Sequence, residues 1–347
     1  MKNKKAWLGL LISIVFLYLA FRHSDWRQIW NAASRANFLY FLAALPVMAL
    51  AFWLKAVRWR YLLLPSGRPG LHSLFGGVMI GYMALNLLPL RLGEFIRAYV
   101  LGRREKISAS AVFATVVVER IFDGFTLLAM LLLPLFFLPL PLGPETMAWV
   151  RTFAYLGLAI YALAALFVVL VKVKTDLIIL LIEKTLGWFP PAKDLARRLT
   201  LSFASGLASV SDWRLFLIIT LYSILIWLAY TAVYWLTMYA FRMPGESSIG
   251  GQLGYLGSIF VNVTIALGIM IPSSPGFVGV FELACIMSLT ALGVNRSLAE
   301  SYALTVHAYQ FIPITLTGII YLYAQNFTFR EIQTAGQETR TELKPSG

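Results

Sequence analysis

The sequence is poor in the residues that build metal, redox and disulfide sites. It contains one cysteine, Cys285, and three histidines among 347 residues. A single thiol excludes an internal disulfide and a cysteine-based metal cluster. The sequence also contains no glycine-rich phosphate loop, no helical zinc motif and no convincing nucleophile with a nearby base. We therefore expect no metal ion, no cofactor and no catalytic residue, and we do not expect an enzyme.

Charged residues are scarce as well, at 13% of the chain, whereas 59% of the residues are hydrophobic. Apolar runs recur along the whole length, and roughly 20 helical residues are needed to cross a hydrocarbon core of about 30 Å. The sequence thus predicts an all-α polytopic membrane protein without a sizeable soluble domain. Full spans are predicted at about 6–21, 38–57, 110–138, 148–171, 213–240 and 300–324, and interrupted apolar segments at about 73–101 and 252–292.

Negative charge is the scarcer sign, with 16 acidic residues against 29 basic ones. In a chain of membrane spans, basic residues between the spans indicate orientation and contact with anionic lipid rather than with nucleic acid. If the amino terminus is cytoplasmic, 20 lysines and arginines, among them Lys55 and Arg58, lie on the cytoplasmic side and 6 lie outside. We therefore predict an uncleaved first helix and two cytoplasmic termini.

The first interrupted segment contains the stretch NLLPLRLGEF, residues 86–95. The apolar arm before it, 73–88, makes about 24 Å of helix, which is short of a full crossing. Pro89 removes a backbone donor and Gly93 loosens the chain, after which a half-length helix runs to the basic RREK. These features predict a re-entrant hairpin, whose irregular backbone must be covered by protein or water.

The second interrupted segment has a first arm of about 20 residues, so a re-entrant hairpin and a pair of full spans both remain open. Its PSSPG stretch is expected to be a backbone break rather than a serine nucleophile, because prolines flank the serines and no base is near in sequence. Glu282 follows just beyond it. The predicted break residues are Pro272, Ser273, Ser274, Pro275, Gly276 and Gly279.

Each interrupted segment is followed by a long span that carries polar residues. This order predicts two units of opposite orientation, 73–138 and 252–324, within a single membrane domain of residues 1–330. An amphipathic cytoplasmic linker is predicted at 174–212 and a mobile cytoplasmic tail at 331–347. Inverted repeats with broken elements are typical of secondary transporters, whose binding sites lie near the midplane where the breaks meet.

Seven charged residues fall within predicted membrane segments, where each would cost roughly 2.5 to 3.5 kcal/mol at the centre of a lipid-facing helix. Those at 119, 120 and 123 share one helix face, so the arginine can neutralise at least one carboxylate. A structural ion-pair network and a site for a polar ligand both remain open. The planar donors of the three arginines suit a phosphate. The set is Arg91, Glu94, Arg97, Glu119, Arg120, Asp123 and Glu282.

His307 and Gln310 add polar groups to this candidate site. They are three residues apart in the last predicted span and therefore share a helix face. We expect His307 to be a hydrogen-bonding partner, with a proton relay as the alternative.

Three segments carry a family resemblance. NLLPLRLGEFIRAYVLGRR, SASAVFATVVVERIFDG and IPSSPGFVGVFE, in this order, resemble the lysylphosphatidylglycerol synthase transmembrane family, also called the flippase-like or UPF0104 family. The resemblance covers about residues 5–330. By this resemblance the family motifs map onto Asn86, Pro89, Gly93, Glu94 and Arg97, onto Glu119, Arg120 and Asp123, and onto Pro272, Pro275, Gly276, Gly279 and Glu282.

The resemblance implies a membrane domain that moves a lipid between leaflets, as in the aminoacyl-phospholipid synthases. Those proteins also carry a cytosolic aminoacyl-transferase domain, which we do not expect here, because the chain ends soon after its last predicted span. We expect a non-ATP-driven lipid translocase of a prokaryotic cytoplasmic membrane, as a monomer or an oligomer. Its partners would be anionic or aminoacylated phospholipid, or polyprenyl-phosphate-linked lipid. The alternatives are a secondary transporter of a small anion and an accessory membrane subunit of lipid-linked glycan or aminoacyl-lipid synthesis.

Overall fold

A computed structural model describes residues 4–22, 24–89, 91–137, 174–190, 212–245, 253–270 and 274–332, with residue 334 and scattered positions between 152 and 201. All secondary-structure elements within these residues are helices, which confirms the predicted all-α class. The α-helices are α1 (Lys4–Phe21), α2 (Trp26–Ser34), α3 (Phe38–Leu63), α4 (Leu71–Leu87), α5 (Gly93–Glu105), α6 (Ala109–Phe137), α7 (Thr175–Leu186), α8 (Trp213–Ala240), α9 (Tyr255–Gly268), α10 (Val280–Ala291) and α11 (Arg296–Ala324).

Three of the described helices, α3, α8 and α11, are long and apolar enough to cross a membrane. Each begins at a residue whose side chain accepts hydrogen bonds from the first backbone amides, namely Asn37, Asp212 and Asn295. These side chains satisfy donors that a helix start leaves unpaired, so the sequence itself fixes where the three helices begin. Helix α6 is 29 residues long and carries two buried carboxylates, Glu119 and Asp123.

Several segment boundaries in the structure differ from the predicted ones. Helix α3 continues to Leu63, six residues beyond the predicted end at 57. The predicted span at 148–171 lies mostly outside the described residues, as does much of the linker at 174–212, in which α7 is described. The predicted tail at 331–347 begins too early, because Ile332 is fully buried, while most later residues lie outside the described part.

The first hairpin breaks where the sequence predicts. Helices α4 and α5 have 17 and 13 residues, or about 25 and 20 Å, so neither arm spans a hydrocarbon core alone. Between them the backbone is extended at Leu88 and left-handed at Arg91 (φ 56°). The arms are in close contact, because a Cβ added to Gly93 would overlap the carbonyl oxygen of Gly81 and lie 2.6 Å from Leu85 Cγ.

The second hairpin has even shorter arms. Helices α9 and α10 have 14 and 12 residues, or about 21 and 18 Å, which favours a broken hairpin over two full spans. Its connecting turn includes Gly276 (φ 71°) and Gly279 (φ 89°), a backbone conformation that favours glycine. Two predicted break residues, Pro272 and Ser273, lie outside the described part of the chain.

The two breaks meet in the interior. A Cβ added to Gly276 would lie 3.3 Å from the Asn86 carbonyl oxygen at the end of α4. The Asn86 amide donates to the Thr315 hydroxyl of α11 at 2.9 Å. In the other direction, Arg91 Nη1 lies 3.4 Å from the Met270 carbonyl oxygen, and its guanidinium is 5.9 Å from the centre of the Phe277 ring. Residues at the break of each hairpin therefore contact residues at or beside the break of the other hairpin.

Candidate functional site

Glu119 is the centre of a buried ion-pair cluster, which also contains Lys55, Arg58, Arg97 and Asp123. The Glu119 side chain is fully buried in α6. Arg97 of α5 binds both of its oxygens, at 3.1 and 2.7 Å. Two cations of α3, Lys55 and Arg58, lie 3.3 and 3.2 Å from its Oε1. Three cations thus surround one carboxylate, which makes Glu119 the link between α3, α5 and α6.

Asp123 lies one turn further along α6 and takes part in the same cluster. Arg58 Nη1 donates to its Oδ1 at 2.6 Å, and the Trp227 indole of α8 donates to the same oxygen at 3.2 Å. Lys55 Nζ lies 3.5 Å from its Oδ2, whereas Arg120 Nη1 is 3.9 Å away from that oxygen. Arg120, the partner that helix spacing predicts for Asp123, therefore lies farther from it than the two cations of α3.

Lys55 and Arg58 are the functional residues that the sequence interpretation missed. Their placement between spans is wrong, because α3 continues to Leu63 and holds both side chains inside the helix bundle, only 2% and 0% exposed. Removing both leaves 18 of the 20 basic residues against 6, so the predicted orientation stands as a prediction. The signal that could have found them is their spacing of three, which puts two cations on one face at the end of an apolar run.

These two cations change the charge balance of the candidate site. The predicted set has three cations and four anions, whereas the set with Lys55 and Arg58 has five cations and four anions. One of the anions, Glu282, lies against His307 in the second hairpin. Within the described residues, the first hairpin and its neighbours therefore carry an excess of positive charge.

The three arginines predicted to hold a phosphate have different surroundings. Arg97 is buried, with its guanidinium 3.7 Å above the Trp59 ring, and its pairing with Glu119 uses both terminal nitrogens. Arg120 is partly exposed and pairs with Glu94 at 2.9 Å. Arg91 is at the break itself. Arg91 and Arg120 therefore have access to a ligand, and Arg97 belongs to the supporting cluster.

A cavity lies between the two breaks. The cavity and its open mouth together enclose about 1090 Å³, with walls from α3, α4, α6, α8, α9, α10, α11 and both turns. Aromatic and aliphatic side chains form most of the lining. Six predicted site residues line it as well, namely Asn86, Arg91, Arg120, Asp123, His307 and Gln310. The other four lie behind the wall: Glu94 against Arg120, Glu282 against His307, and Arg97 with Glu119 in the cluster.

Helix α11 supplies polar groups of the opposite wall, and one of them contacts the second hairpin. His307 is bonded through one ring nitrogen to Glu282 and through the other to the Gly276 carbonyl oxygen. Within the described part of the chain, the Gln310 amide nitrogen is buried and has no hydrogen-bond partner. A buried donor without a partner costs about 1 to 3 kcal/mol, and the group beside this nitrogen is the Tyr234 hydroxyl.

An apolar groove adjoins the cavity. It lies between α3, α4 and α11, encloses about 680 Å³ with its mouth, and is bordered by the helix-interior prolines Pro46 and Pro313. Met48, Phe52 and Ile314 line both spaces and form the wall between them. The remaining groove residues are apolar apart from one threonine. Charged cavity and apolar groove are thus neighbours.

The site contains few groups that could hold a metal ion. Across the described ranges, no three histidine, cysteine, aspartate or glutamate side chains are grouped closely enough to bind one. The carboxylates of the cluster are already surrounded by lysine and arginine. A cation would therefore meet repulsion at this site, and an anion would meet attraction.

Comparison with known families agrees with this geometry. The family model for the lysylphosphatidylglycerol synthase TM region matches residues 6–318, and the chain belongs to that family. The match covers both hairpins, α6 and nearly all of α11, and it includes every residue of the cavity wall.

Two proteins from prokaryotes are similar to this chain. It is 25% identical over 325 residues to glycosyltransferase AglD of Haloferax volcanii, a match that covers 86% of this chain and 51% of that protein. It is also 28% identical over 125 residues to UPF0104 membrane protein MJ1595 of Methanocaldococcus jannaschii, covering 35% of this chain and 37% of the relative. The chain thus spans about half the length of the first relative and a smaller share of the second. No solved structure matches it.

Proposed function

We propose that this protein moves a phosphate-bearing lipid between the leaflets of a prokaryotic cytoplasmic membrane, without ATP. The observation that carries the proposal is the adjacency of a positively charged cavity and an apolar groove at the meeting point of two helix breaks. A lipid has the same two parts, a polar headgroup and a hydrocarbon chain. Membrane localisation follows from the family and the apolar helices, whereas the cargo and its movement are the proposal.

The cavity favours an anionic headgroup. Lys55, Arg91 and Arg120 line it, with Asp123 as the facing carboxylate. Arginine can bind phosphate oxygens through two parallel donors, and the low dielectric of a membrane interior strengthens such contacts. The unpartnered Gln310 amide adds a neutral donor from the other wall. A phosphate held in this way would be shielded from the hydrocarbon while it crosses.

The apolar groove favours a lipid over a small soluble anion. A soluble anion requires a closed aqueous path, whereas a lipid requires an opening through which its chain stays in hydrocarbon. The groove between α3 and α11 supplies such an opening beside the cavity. Proline inside each of these two helices removes a backbone hydrogen bond and bends the helix, so the two helices can separate at this level.

The hairpins supply a route for alternating access. Half-helices of both hairpins, α4, α9 and α10, line the cavity. In transporters with inverted repeats, one such unit moves against the other around a fixed site. We infer that 73–138 and 252–324 are these two units and that both termini are cytoplasmic. The headgroup would then be exposed to one side of the membrane at a time.

A second candidate rests on the similarity to AglD, whose name is that of a glycosyltransferase. In this alternative, the chain serves as a membrane subunit that presents a lipid-linked substrate to a glycosyltransferase. The same cavity would bind the lipid phosphate. The two candidates therefore share the binding step and differ in whether the lipid changes leaflet.

Loss of lipid binding in Arg120→Ala is the first expected result. A hydrogen bond to a charged group contributes about 1.5 to 3 kcal/mol, so the variant should bind the phosphate-bearing lipid roughly 10- to 100-fold more weakly. Native mass spectrometry of the purified protein with its co-purified lipids measures this directly. The wild type should retain one phosphate-bearing lipid class, which Arg120→Ala should lose.

Arg103→Ala is the matched control, because Arg103 is an exposed arginine of the same hairpin outside the cavity. It should retain the lipid of the wild type. Retention of the same lipids by all three proteins would contradict the proposed site and favour a structural role for the charges. Binding of inorganic phosphate without any specific lipid would instead favour the transporter of small anions.

A further inference from the structure

His307 is hydrogen-bonded at both ring nitrogens. Its Nε2 lies 2.8 Å from the Gly276 carbonyl oxygen, and its Nδ1 lies 2.5 Å from Glu282 Oε1. A carbonyl oxygen can only accept, so Nε2 must carry the proton of the first contact. Nδ1 and a carboxylate oxygen would both present lone pairs, so their short contact requires a second proton between them. The pair therefore holds one exchangeable proton in this conformation.

Loss of that proton would break one of the two contacts. If Nε2 keeps its hydrogen, a bare Nδ1 faces the ionised Glu282; if Nδ1 takes it, a bare Nε2 faces the Gly276 oxygen. Either arrangement puts lone pairs against each other. The proton is thus required for His307 to bind both partners at once.

Both partners belong to the backbone break. Gly276 is in the turn at φ 71°, and the second oxygen of Glu282 accepts from the Gly279 amide at 2.7 Å, where the backbone has φ 89°. Movement of either partner would change the turn that forms one wall of the cavity. Proton binding and the shape of the cavity are therefore mechanically linked.

The pair is accessible from the cavity and is otherwise surrounded by apolar groups. The His307 side chain is 13% exposed and lines the cavity, and the Phe281 ring stacks on it at 4.3 Å. From α1, the uncharged Ser13 hydroxyl contacts the turn. On α10 the nearest titratable group in sequence is Cys285. The charged and titratable groups that share the cavity are Lys55, Tyr82, Arg91, Arg120, Asp123, Tyr230 and Tyr234.

We propose that Glu282 and His307 form a proton-binding site, and that one proton moves together with each anionic headgroup. The first part stands on the pair alone, and the second rests on the proposed function. A headgroup phosphate in the cavity favours the protonated state of the pair, because an opposite charge nearby stabilises a cation. By linkage, the bound proton strengthens headgroup binding to the same degree. No bond other than the proton's own is made or broken.

The proton site is tested without any cargo. The chain has only three histidines, so ¹⁵N-histidine labelling in a His23→Gln, His72→Gln background reports on His307 alone. We expect a strongly deshielded N–H proton resonance from His307 in this background, which is absent in Glu282→Gln. Glu300→Gln, which alters another buried glutamate away from the cavity, should keep it. An unchanged spectrum in Glu282→Gln would overturn the proposal.

Coupling is tested in vesicles that contain the protein and fluorescent phosphatidylglycerol, with the membrane potential clamped. One proton per lipid should change the ratio of label between leaflets about tenfold for each imposed pH unit. In His307→Gln and Glu282→Gln, whose side chains retain a donor or an acceptor for the turn, the final ratio of label between leaflets should not depend on the imposed gradient. The same response in wild type and variants would overturn the coupling. If the wild type moves no label, the proposed function fails, and the spectra alone decide the proton site.

Discussion

Replacing Glu119 by glutamine is expected to destabilise the protein by about 3 to 5 kcal/mol, because one side chain then leaves three buried cations without their common partner. Arg97 exchanges two charged acceptors for at most one neutral amide oxygen, and Lys55 and Arg58 keep only Asp123 as a carboxylate partner. The large effect follows from burial, since none of these groups can be rehydrated without opening the packing of α3, α5 and α6. Thermal unfolding followed by tryptophan fluorescence should show a markedly lower midpoint.

Glu331→Gln is the matched control for this change. Glu331 also pairs with an arginine, Arg103 at 3.0 Å, but both side chains are exposed. Hydrogen bonds from Thr328, with help from Arg103, lower the pKa of Glu331, so it is ionised at neutral pH. Solvent screening makes its contribution small. A Glu119→Gln midpoint no lower than that of Glu331→Gln would contradict the buried cluster, and partial recovery in Glu119→Gln, Arg97→Gln would support it.

Gly93→Ala is expected to separate the arms of the first hairpin. The added methyl group would overlap the Gly81 carbonyl oxygen and lie 2.8 Å from the Leu85 amide nitrogen, both of which are backbone atoms that cannot rotate away. Overpacking of this kind costs typically about 1 to 3 kcal/mol. Because α5 carries Glu94 and Arg97, its displacement should also weaken lipid retention. We expect both a lower unfolding midpoint and loss of the specific lipid.

Gly70→Ala separates this steric effect from a general effect of glycine replacement. Gly70 is at the start of α4 in the same hairpin, its φ is −67°, and a Cβ there meets nothing within 4 Å. It should leave both stability and lipid retention close to those of the wild type. Equal effects from the two alanines would show that contact between the arms at Gly93 is not needed.

The sequence predicts burial and backbone breaks best at the positions where a lipid-facing or regular helical arrangement would cost the most free energy. Charges at 119, 120 and 123 are too expensive to face lipid, so their inward orientation follows from composition alone. Proline and glycine at 89 and 93 likewise predict a break at the right place, because a helix cannot continue through them without loss. For the second segment, the short lengths of the two helices could not be predicted from the sequence, because hydropathy does not show where an apolar helix ends.

The partners of these residues could not be predicted. Nothing in the sequence links Glu119 to Lys55 and Arg58, which are more than 60 positions away and look like residues at the end of a span. The contact of His307 with Glu282 joins residues 25 positions apart, and only the fold brings α10 and α11 together. Pairing across helices depends on packing geometry, which local spacing does not encode.

Movement of lipid between leaflets is the central claim, and a dithionite assay in sealed vesicles tests it most directly. Dithionite bleaches only fluorescent lipid in the outer leaflet, so a protein that moves the lipid exposes the inner-leaflet label as well. With labelled phosphatidylglycerol, we expect wild type and Arg103→Ala to expose the inner-leaflet label and Arg120→Ala to protect it. Protection of the inner leaflet by the wild type, with this and other phosphate-bearing lipids, would contradict the account.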